Sequence, residues 1–180
     1  MDSSDKIRAA DLASLQVIKY PDPRLREICT PVETIDEPLI QLVERMCQLM
    51  LDNRGVGLAA PQVGVTVRLF AASPSFDPED LRVYINPRII EASGTVEEEE
   101  GCLSFPQIFT KVKRNATLTV EATDLEGDIF QEECGDLHSR IIQHEIDHLD
   151  GRLLVDRMGT VSKLANRRSL KELEAQFDSA

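Results

Sequence analysis

The chain has 180 residues, which is enough for one domain with a proper core and too few to expect two. It is 42% hydrophobic and 29% charged, as in a globular protein, and its aromatic content of 4% means that aliphatic side chains must fill the core. The formal charge of −12 argues against nucleic acid, including DNA, or an anionic membrane as a partner, because both favour a basic face. No apolar run approaches the ~20 residues that a membrane span needs.

We expect residues 1–14, which are polar and Ala-rich, to be an N-terminal extension, either a loose helix or flexible, and residues 15–180 to be one catalytic domain. The first six residues, MDSSDK, lack the charged-then-apolar layout of a signal peptide and are too acidic for a transit peptide. A cytoplasmic location, most simply bacterial, is therefore expected. Cysteines in a reducing compartment are metal ligands or nucleophiles more often than disulfide partners.

The first half of the chain predicts short strands around one long helix. Residues 15–18 are typical of a strand, and apolar side chains at helical spacing predict a helix over residues 36–53, with Thr34 and Glu37 as a capping box. Residues 55–62, GVGLAAPQ, follow that helix rather than a strand, so they lack the context of a dinucleotide-binding loop. We interpret them as a loop whose missing side chains let a ligand lie against the main chain.

The second half predicts more strands and two further helices. Alternating β-rich residues at 117–123 and 129–134 predict a hairpin. A helix over residues 137–149 is expected to begin after Asp136 as N-cap and to end before Gly151. Further strands are predicted at residues 65–71, 81–85, 89–90 and 95–96, and a final charged helix at residues 160–176. The order indicates an α+β fold, with mixed or antiparallel short strands around a central helix and a helix towards each end.

The central helix carries the sequence QHEIDH, in which two histidines lie four residues apart. Side chains at this spacing project from the same face of a helix, one turn apart, so His144 and His148 can bind one metal ion. Glu145, directly after the first histidine, can then face a metal-bound water. His138, the third of the three histidines, lies roughly 240° around the helix from His144 and is left out of the predicted ligand set.

A catalytic metal site of this kind needs three protein ligands and an open position for water, and the sequence leaves three possibilities for the third ligand. The metzincin pattern puts that ligand at Leu154, which cannot bind a metal. Thermolysin-like proteases use a downstream glutamate, and Glu172 and Glu174 have about that spacing. The third possibility is an upstream thiolate, Cys102, which follows a predicted strand and precedes a predicted turn at Pro106.

Three separated blocks of the chain resemble the motifs of peptide deformylases. They are residues 55–62 (GVGLAAPQ), 100–104 (EGCLS) and 143–148 (QHEIDH), which occur in the family's order and at similar separations. The resemblance covers nearly the whole chain from about Leu15, and it favours Cys102 as the third ligand. It implies a metal-dependent hydrolase that removes the N-formyl group from the formyl-methionine of newly made polypeptides and releases formate.

The same resemblance implies the metal site and its chemistry. Cys102, His144 and His148 would hold one divalent ion, Fe²⁺ in the cell, with Zn²⁺, Ni²⁺ or Co²⁺ able to substitute. The affinity order of such ions would by itself favour zinc, so the expectation of iron comes from the resemblance alone. A metal-activated hydroxide would attack the formyl carbonyl, with Glu145 as general base and then as general acid.

Further residues are expected to stabilise the oxyanion and bind the substrate. By resemblance, the Gln62 side-chain amide and the Leu103 backbone N–H donate to the oxyanion. We expect the N-formyl peptide to lie extended beside Gly57 and Leu103, like an added strand. An apolar pocket for its methionine side chain is predicted from Val56, Leu103, Leu137 and Ile141.

Three smaller expectations concern the surroundings of the site. Glu100 and Arg114 are predicted to pair behind the metal-binding loop. Phe109 stands where many deformylases carry Arg or Tyr, which puts in doubt a polar contact with the substrate. The basic residues of the final helix suggest the ribosome, near its tunnel exit, as a partner, although a solvated helix face is the plainer interpretation.

Two alternatives to a deformylase stay open on the sequence. The first is a thermolysin-like zinc endopeptidase that uses Glu172 or Glu174. The second is a non-catalytic protein in which four residues close a structural zinc site, namely Cys102, Cys134, His144 and His148.

Overall fold

The computed structural model describes residues 2–179 and has the α+β architecture that the sequence predicts. Its helices are α1 (Ser3–Ala9), α2 (Glu37–Asp52), α3 (Asp136–Leu149), α4 (Leu154–Arg157), α5 (Thr160–Ala165) and α6 (Arg167–Asp178). Its strands are β1 (Gly57–Ala59), β2 (Leu69–Ala72), β3 (Arg82–Ser93), β4 (Val96–Cys102), β5 (Phe105–Arg114), β6 (Thr117–Thr123) and β7 (Ile129–Gly135). Within residues 2–179, no helix is both long and apolar enough to span a membrane.

A five-stranded antiparallel sheet, in the order β1-β2-β3-β6-β7, lies between the two longest helices. Successive side chains of a strand point to opposite faces of the sheet. In β2, Leu69 and Ala71 pack in the cluster that contains α2, whereas Phe70 and Ala72 pack in the cluster that contains α3. The whole strand is therefore buried, and it separates two layers of core.

The remaining strands, β4 and β5, form a separate hairpin whose turn is Leu103 and Ser104. The pairing register shifts between Gly101 and Cys102, and an irregularity of this kind re-aims the side chain that follows it. Phe105, at the start of β5, is fully buried in a third core cluster with residues of α4 and α6. The packing of Phe105 in this cluster thus fixes the position of the adjacent Cys102 at the end of β4.

Helix α2 confirms the helix predicted over residues 36–53. Its inward face buries six apolar side chains against the sheet, namely Leu39, Leu42, Val43, Met46, Leu49 and Met50. The capping box predicted from Thr34 and Glu37 is wrong, because the N-cap is Asp36, whose carboxylate accepts the Leu39 N–H at 3.3 Å. An Asp at this position satisfies one of the free N–H groups of the first turn by itself.

Several predicted strands differ from the structure. Residues 15–18 form no strand of the sheet; the segment is extended, and its Ile18 N–H donates to the Gln62 carbonyl at 2.8 Å. Residues 55–62 are not a loop throughout, since they contain β1 and the start of a short 3₁₀ helix, Ala60–Val63. The strands predicted at 81–85 and 89–90 are one strand, β3, bent by a register shift.

The sequence reasoning also missed β5, the start of α3 and the break in the final helix. Pro106 lies inside β5 rather than at a turn. The N-cap of α3 is Gly135 and not Asp136, which is the first helical residue and has φ of +47°. The predicted final helix is broken at Asn166 into α5 and α6. The predicted hairpin, now β6 and β7, is confirmed, and Gly151 at φ +69° follows the end of α3 as expected.

The N-terminal residues pack against the rest of the protein. Ile7 of α1 is 1% exposed and belongs to the core cluster of α2. The Lys6 ammonium donates to the Thr30 hydroxyl at 2.7 Å and to the Thr66 hydroxyl at 2.9 Å. The division into an extension at residues 1–14 and a catalytic domain at residues 15–180 stays a prediction. Helix α1 of the extension packs directly against the catalytic domain.

Candidate metal centre and active site

The three predicted metal ligands meet between α3 and the end of β4. One potential ligand atom from each of Cys102, His144 and His148 lies within 4.8 Å of the other two. The Cys102 Sγ is 3.3 Å from the His148 Nε2, close to the separation of two ligands on one tetrahedral ion. Both histidines project from one face of α3, and the bent end of β4 brings the thiol to them.

A buried ionic network fixes the orientation of His144. Its Nδ1 is 3.1 Å from the Glu100 Oε2, so Nε2 is the nitrogen left to bind a metal. Arg114 donates to both Glu100 oxygens, at 3.0 and 2.9 Å, and to Asp147 at 2.6 Å. The predicted Glu100–Arg114 pair is therefore confirmed, and Asp147, which the sequence reasoning missed, extends it back to α3.

The charges of the site favour a cation. Burial works against ionisation of Glu100, but hydrogen bonds from His144 and Arg114 lower the pKa of this carboxyl to about 2. Burial also works against a charge on His144, yet Cys102 and Glu100 raise its pKa well above the usual value. Burial lowers the pKa of His148, which keeps it in the neutral form that binds metals. The donor set thus fits a divalent ion.

Glu145 lies beside the ligands with one oxygen unused. The residue is 4% exposed, and its Oε2 is buried without a hydrogen-bond partner among residues 2–179. Burial raises the pKa of Glu145 to about 7, the Glu100 charge acts in the same direction, and His144 opposes it. Gly57 leaves room for this carboxylate, because a Cβ at that position would collide with Oε1. A buried carboxyl of this pKa can both take and return a proton near neutrality.

The Gln62 side chain is held with its amide nitrogen towards the thiol. The Ala59 N–H donates to its Oε1 at 2.9 Å, and its Nε2 donates to the Ser104 hydroxyl at 3.3 Å and lies 3.5 Å from the Cys102 Sγ. This places an N–H donor at the edge of the metal centre. The direction of the Leu103 backbone N–H stays a prediction.

A cavity of about 540 Å³ opens beside these residues. Its walls include Glu145 and His144, together with the predicted substrate-binding residues Val56, Gly57, Leu103, Leu137 and Ile141. From α3, the apolar side chains of Leu137 and Ile141 line the cavity beside Arg140, His144 and Glu145. Phe109 also lines the cavity and is 58% exposed. The structure thus brings every predicted site residue to one place.

Some residues of the cavity wall were missed. The Lys19 ammonium donates to the Leu103 carbonyl at 2.7 Å, and the adjacent Tyr20 N–H donates to the Ser104 carbonyl at 3.0 Å. Phe76 reaches the cavity from the loop between β2 and β3. Nothing in the local sequence marks Lys19 and Tyr20, because their bonds to Leu103 and Ser104 each span 84 positions of the chain.

The ligand sets of the two alternatives do not assemble. Glu174 accepts a hydrogen bond from the Tyr20 hydroxyl at 3.0 Å, and Glu172 pairs with Arg168 on the surface of α6. Within the described residues, neither carboxylate joins a potential metal group with His144 and His148. Cys134 groups instead with Glu132 and His138, so it does not close a four-ligand site with Cys102.

Comparison with known proteins identifies the family. Residues 14–164 match the family model described as polypeptide deformylase. The chain belongs to this family. The peptide deformylase of Acidobacterium capsulatum is 42% identical over 160 residues, which cover 88% of this chain and 94% of that protein. The predicted family, the α+β fold and an enzymatic function are therefore confirmed.

Solved structures of deformylases have the same fold. A peptide deformylase from Plasmodium falciparum superimposes with a TM-score of 0.89 at 37% identity, covering 92% of this chain and 98% of that one. The peptide deformylase of Legionella pneumophila gives a TM-score of 0.85 at 40% identity, covering 92% and 98%. The matched region contains all three motifs, so the deformylase fold positions the cavity and the residues around it.

Proposed function

We propose that this deformylase removes the N-formyl group from formyl-methionine at the start of newly made polypeptides, releasing formate and a free α-amino group. The observation that carries the proposal is the convergence of Cys102, His144 and His148 beside Glu145 at the wall of an open cavity. One Glu145 oxygen has no hydrogen-bond partner among residues 2–179. Three ligands leave one position of a tetrahedral ion for water or substrate.

The residues of the site divide the chemistry between them. A divalent ion, when bound, supplies Lewis acidity and makes its water more acidic. Glu145 takes the proton of the attacking water and then passes it to the leaving amine nitrogen. The Gln62 amide, with Leu103 N–H as its partner, donates to the oxygen of the formyl carbonyl as negative charge develops there. Glu100 holds the His144 ring in place throughout.

The substrate binds as an extended strand. β1 is an edge strand of the sheet in the described part of the chain, so its backbone at Gly57 is available for main-chain hydrogen bonds. The methionine side chain enters the apolar part of the cavity formed by Val56, Leu103, Leu137 and Ile141. Binding through the main chain suits an enzyme that must accept many N-terminal sequences.

We further propose Fe²⁺ as the ion in the cell, a cytoplasmic location, and work close to the ribosomal tunnel exit. A thiolate with two imidazoles also suits Zn²⁺, Ni²⁺ and Co²⁺, so metal supply decides between them. The basic side chains Lys163, Arg167, Arg168 and Lys171 on α5 and α6 stand out on a chain of net charge −12, and they support contact with ribosomal RNA.

The central experiment measures formate release from a formyl-Met peptide by protein purified without oxygen. We expect release by the wild type and a loss of about 10³-fold in Glu145→Ala with the metal content retained. An unformylated peptide of the same sequence should stay intact. A fully metallated wild type that releases no formate would show that the proposal is wrong.

Cys102→Ala separates the deformylase from the endopeptidase alternative. We expect it to lose most of its tightly bound metal together with activity, because the thiolate is one of three ligands. An endopeptidase that used Glu172 or Glu174 would keep its metal in this variant, as measured by elemental analysis of the purified protein.

A further inference from the structure

A second group of metal-binding side chains lies at the other end of α3, away from the cavity. One potential ligand atom from each of Glu132, Cys134 and His138 lies within 4.8 Å of the other two. Glu132 and Cys134 come from β7, and His138 comes from the first turn of α3. His138 faces away from the active site, as the helical spacing predicts, and neither it nor the two β7 residues line the active-site cavity.

The distances are close to those of a tetrahedral site. The Cys134 Sγ is 3.8 Å from the His138 Nε2, which is 3.9 Å from the Glu132 Oε2. Ligand bonds of about 2.0–2.3 Å put neighbouring donors of a tetrahedral Zn²⁺ roughly 3.3–3.6 Å apart. The two measured separations exceed this range by only a few tenths of an ångström, and Cys134 and Glu132 offer ligand atoms within 4.8 Å of each other.

A fourth donor is already in place. The Tyr84 hydroxyl, from β3, lies 2.7 Å from the Glu132 Oε2 and 2.9 Å from the His138 Nε2. Tyr84 is fully buried, and Cys134 is 3% exposed, so the group is enclosed on the side of the sheet. Sulfur, nitrogen and two oxygens therefore lie in one cluster, and that combination suits a borderline or soft divalent ion.

The charges around the group also match a divalent cation. Arg82 pairs with the other oxygen of Glu132, Oε1, and with Asp80, which leaves Oε2 on the side of Cys134 and His138. Burial raises the pKa of the Cys134 thiol to about 11, so the ion would displace the thiol proton as it binds. In the bound state, Cys134 thiolate, Glu132 and Asp80 would place three negative charges against the one positive charge of Arg82. The two negative charges that remain are those that a divalent ion neutralises.

We propose that Glu132, Cys134, His138 and Tyr84 form a second metal site, specific for Zn²⁺ or a similarly thiophilic divalent ion. The site is closed, because all four positions around the ion come from the protein, so it is structural rather than catalytic. It joins β7 to the first turn of α3 and thereby fixes the helix that carries His144 and His148.

The test uses Co²⁺ as a spectroscopic probe in the full-length Cys102→Ser variant, which removes the thiolate of the active site. Co²⁺ bound to any remaining thiolate gives an intense charge-transfer absorption. We expect one Co²⁺ per chain to produce this absorption, and added Zn²⁺ to abolish it. Absence of the absorption in a folded Cys102→Ser protein overturns the proposal.

Two double variants assign the thiolate. Cys102→Ser with Cys134→Ser should lose the absorption, whereas Cys102→Ser with Cys29→Ser should keep it. Cys29 is a matched control, because it is free and buried like Cys134 but belongs to no potential metal group in the described chain. An absorption that survives the loss of Cys134 also overturns the proposal.

A third variant guards against misfolding of the Cys134 substitution. Cys102→Ser with His138→Ala keeps the thiol and removes one nitrogen ligand, so we expect it to weaken Co²⁺ binding on the order of tenfold or more. Unchanged affinity in this variant excludes the site. The outcome is independent of deformylase activity, since none of these readouts measures formate.

Discussion

The two ends of α3 each bring a cysteine and a histidine together, but only one end is built for chemistry. At the active end, Glu145 has a buried oxygen with no hydrogen-bond partner in the described part of the chain, and the ligand group opens onto a cavity of about 540 Å³. At the other end, the Tyr84 hydroxyl already bonds Glu132 and His138. Ligand-type side chains alone therefore do not make a reactive site. A free base and an open position do.

The two groups also differ in how their charges are supported. Arg114 is 3% exposed at its side chain and lies between two buried carboxylates, Glu100 and Asp147. Arg82 is 41% exposed and pairs with Glu132 near the surface. Coulomb interactions are stronger where water is excluded. Loss of the arginine should therefore destabilise the protein more in the network behind the active site than in the group around Arg82.

The largest expected difference is in catalysis. Glu145→Gln should lower kcat/KM for a formyl-Met peptide by about 10³-fold, because the proton acceptor is removed while the metal ligands stay. Glu132→Gln is the matched change in β7, in the group of potential ligands at the other end of α3, and it should leave kcat/KM unchanged. Steady-state formate release by both variants at equal metal content checks this, and equal losses would erase the distinction between the two groups.

The next largest effect is on stability. Arg114→Ala leaves the buried Glu100 carboxylate without its arginine, whereas Asp147 keeps its ion pair with Arg157. We therefore expect the free energy of unfolding to fall by about 3 kcal/mol, at the lower end of the range for a broken buried pair. Arg82→Ala should cost less than about 1 kcal/mol, as is usual for pairs that water screens. Denaturant unfolding of the two variants measures both values. An Arg114 variant with normal stability, metal content and activity would refute its supporting role.

Gly57→Ala tests the packing around the catalytic carboxylate. The new Cβ would collide with the Glu145 carboxylate, so the base must move, and we expect a loss of about 10²-fold in kcat with the fold retained. Gly159→Ala is the control, because a Cβ added at that position would have no neighbouring atom within 4 Å in the described part of the chain. Kinetics of both variants decide the matter, and equal activity would mean that Glu145 needs no such room.

The smallest expected effect concerns the closed group. Tyr84→Phe removes a buried hydroxyl that bonds Glu132 and His138, which should lower the free energy of unfolding by about 1 kcal/mol in metal-free protein. Formate release by the Tyr84→Phe protein with its active-site metal bound should not change. Tyr20→Phe, which loses one bond to Glu174, should cost less. Thermal unfolding compares the two, and the opposite ranking would show that the Tyr84 hydroxyl is not part of a tight network.

The local parts of the active site were predictable from the sequence. The spacing of His144 and His148 places them on one helical face, and the same geometry places His138 elsewhere. Helix α2 followed from its apolar stripe in the same way. Cys102 was harder, because its partners lie more than 40 positions away, and three possible third ligands remained until the resemblance of three motifs favoured it.

Other features could not be read from the sequence because they depend on strand register and packing. The Glu100–Arg114 pair was predicted, but nothing local indicates that Asp147 joins it, or that β5 exists where Pro106 suggested a turn. The extended segment before Pro21 was predicted as a strand, yet it bonds to the two active-site loops through Ile18 and Tyr20. These contacts join distant positions, and a one-residue change in register would remove them.

The sequence by itself determined the family, the α+β class and the pair of histidines, since each depends on patterns within a few residues or on whole motifs. Only the tertiary structure decided how closely the Cys102 thiol approaches that pair, that Asp147 joins Arg114 behind it, and which residues surround His138. A helix sets the direction of its own side chains through its period, whereas the partners that meet them are set by the packing of the sheet and the β4–β5 hairpin. Both groups of potential ligands therefore contain histidine from α3, but their different chemistry comes from the residues that the surrounding strands contribute.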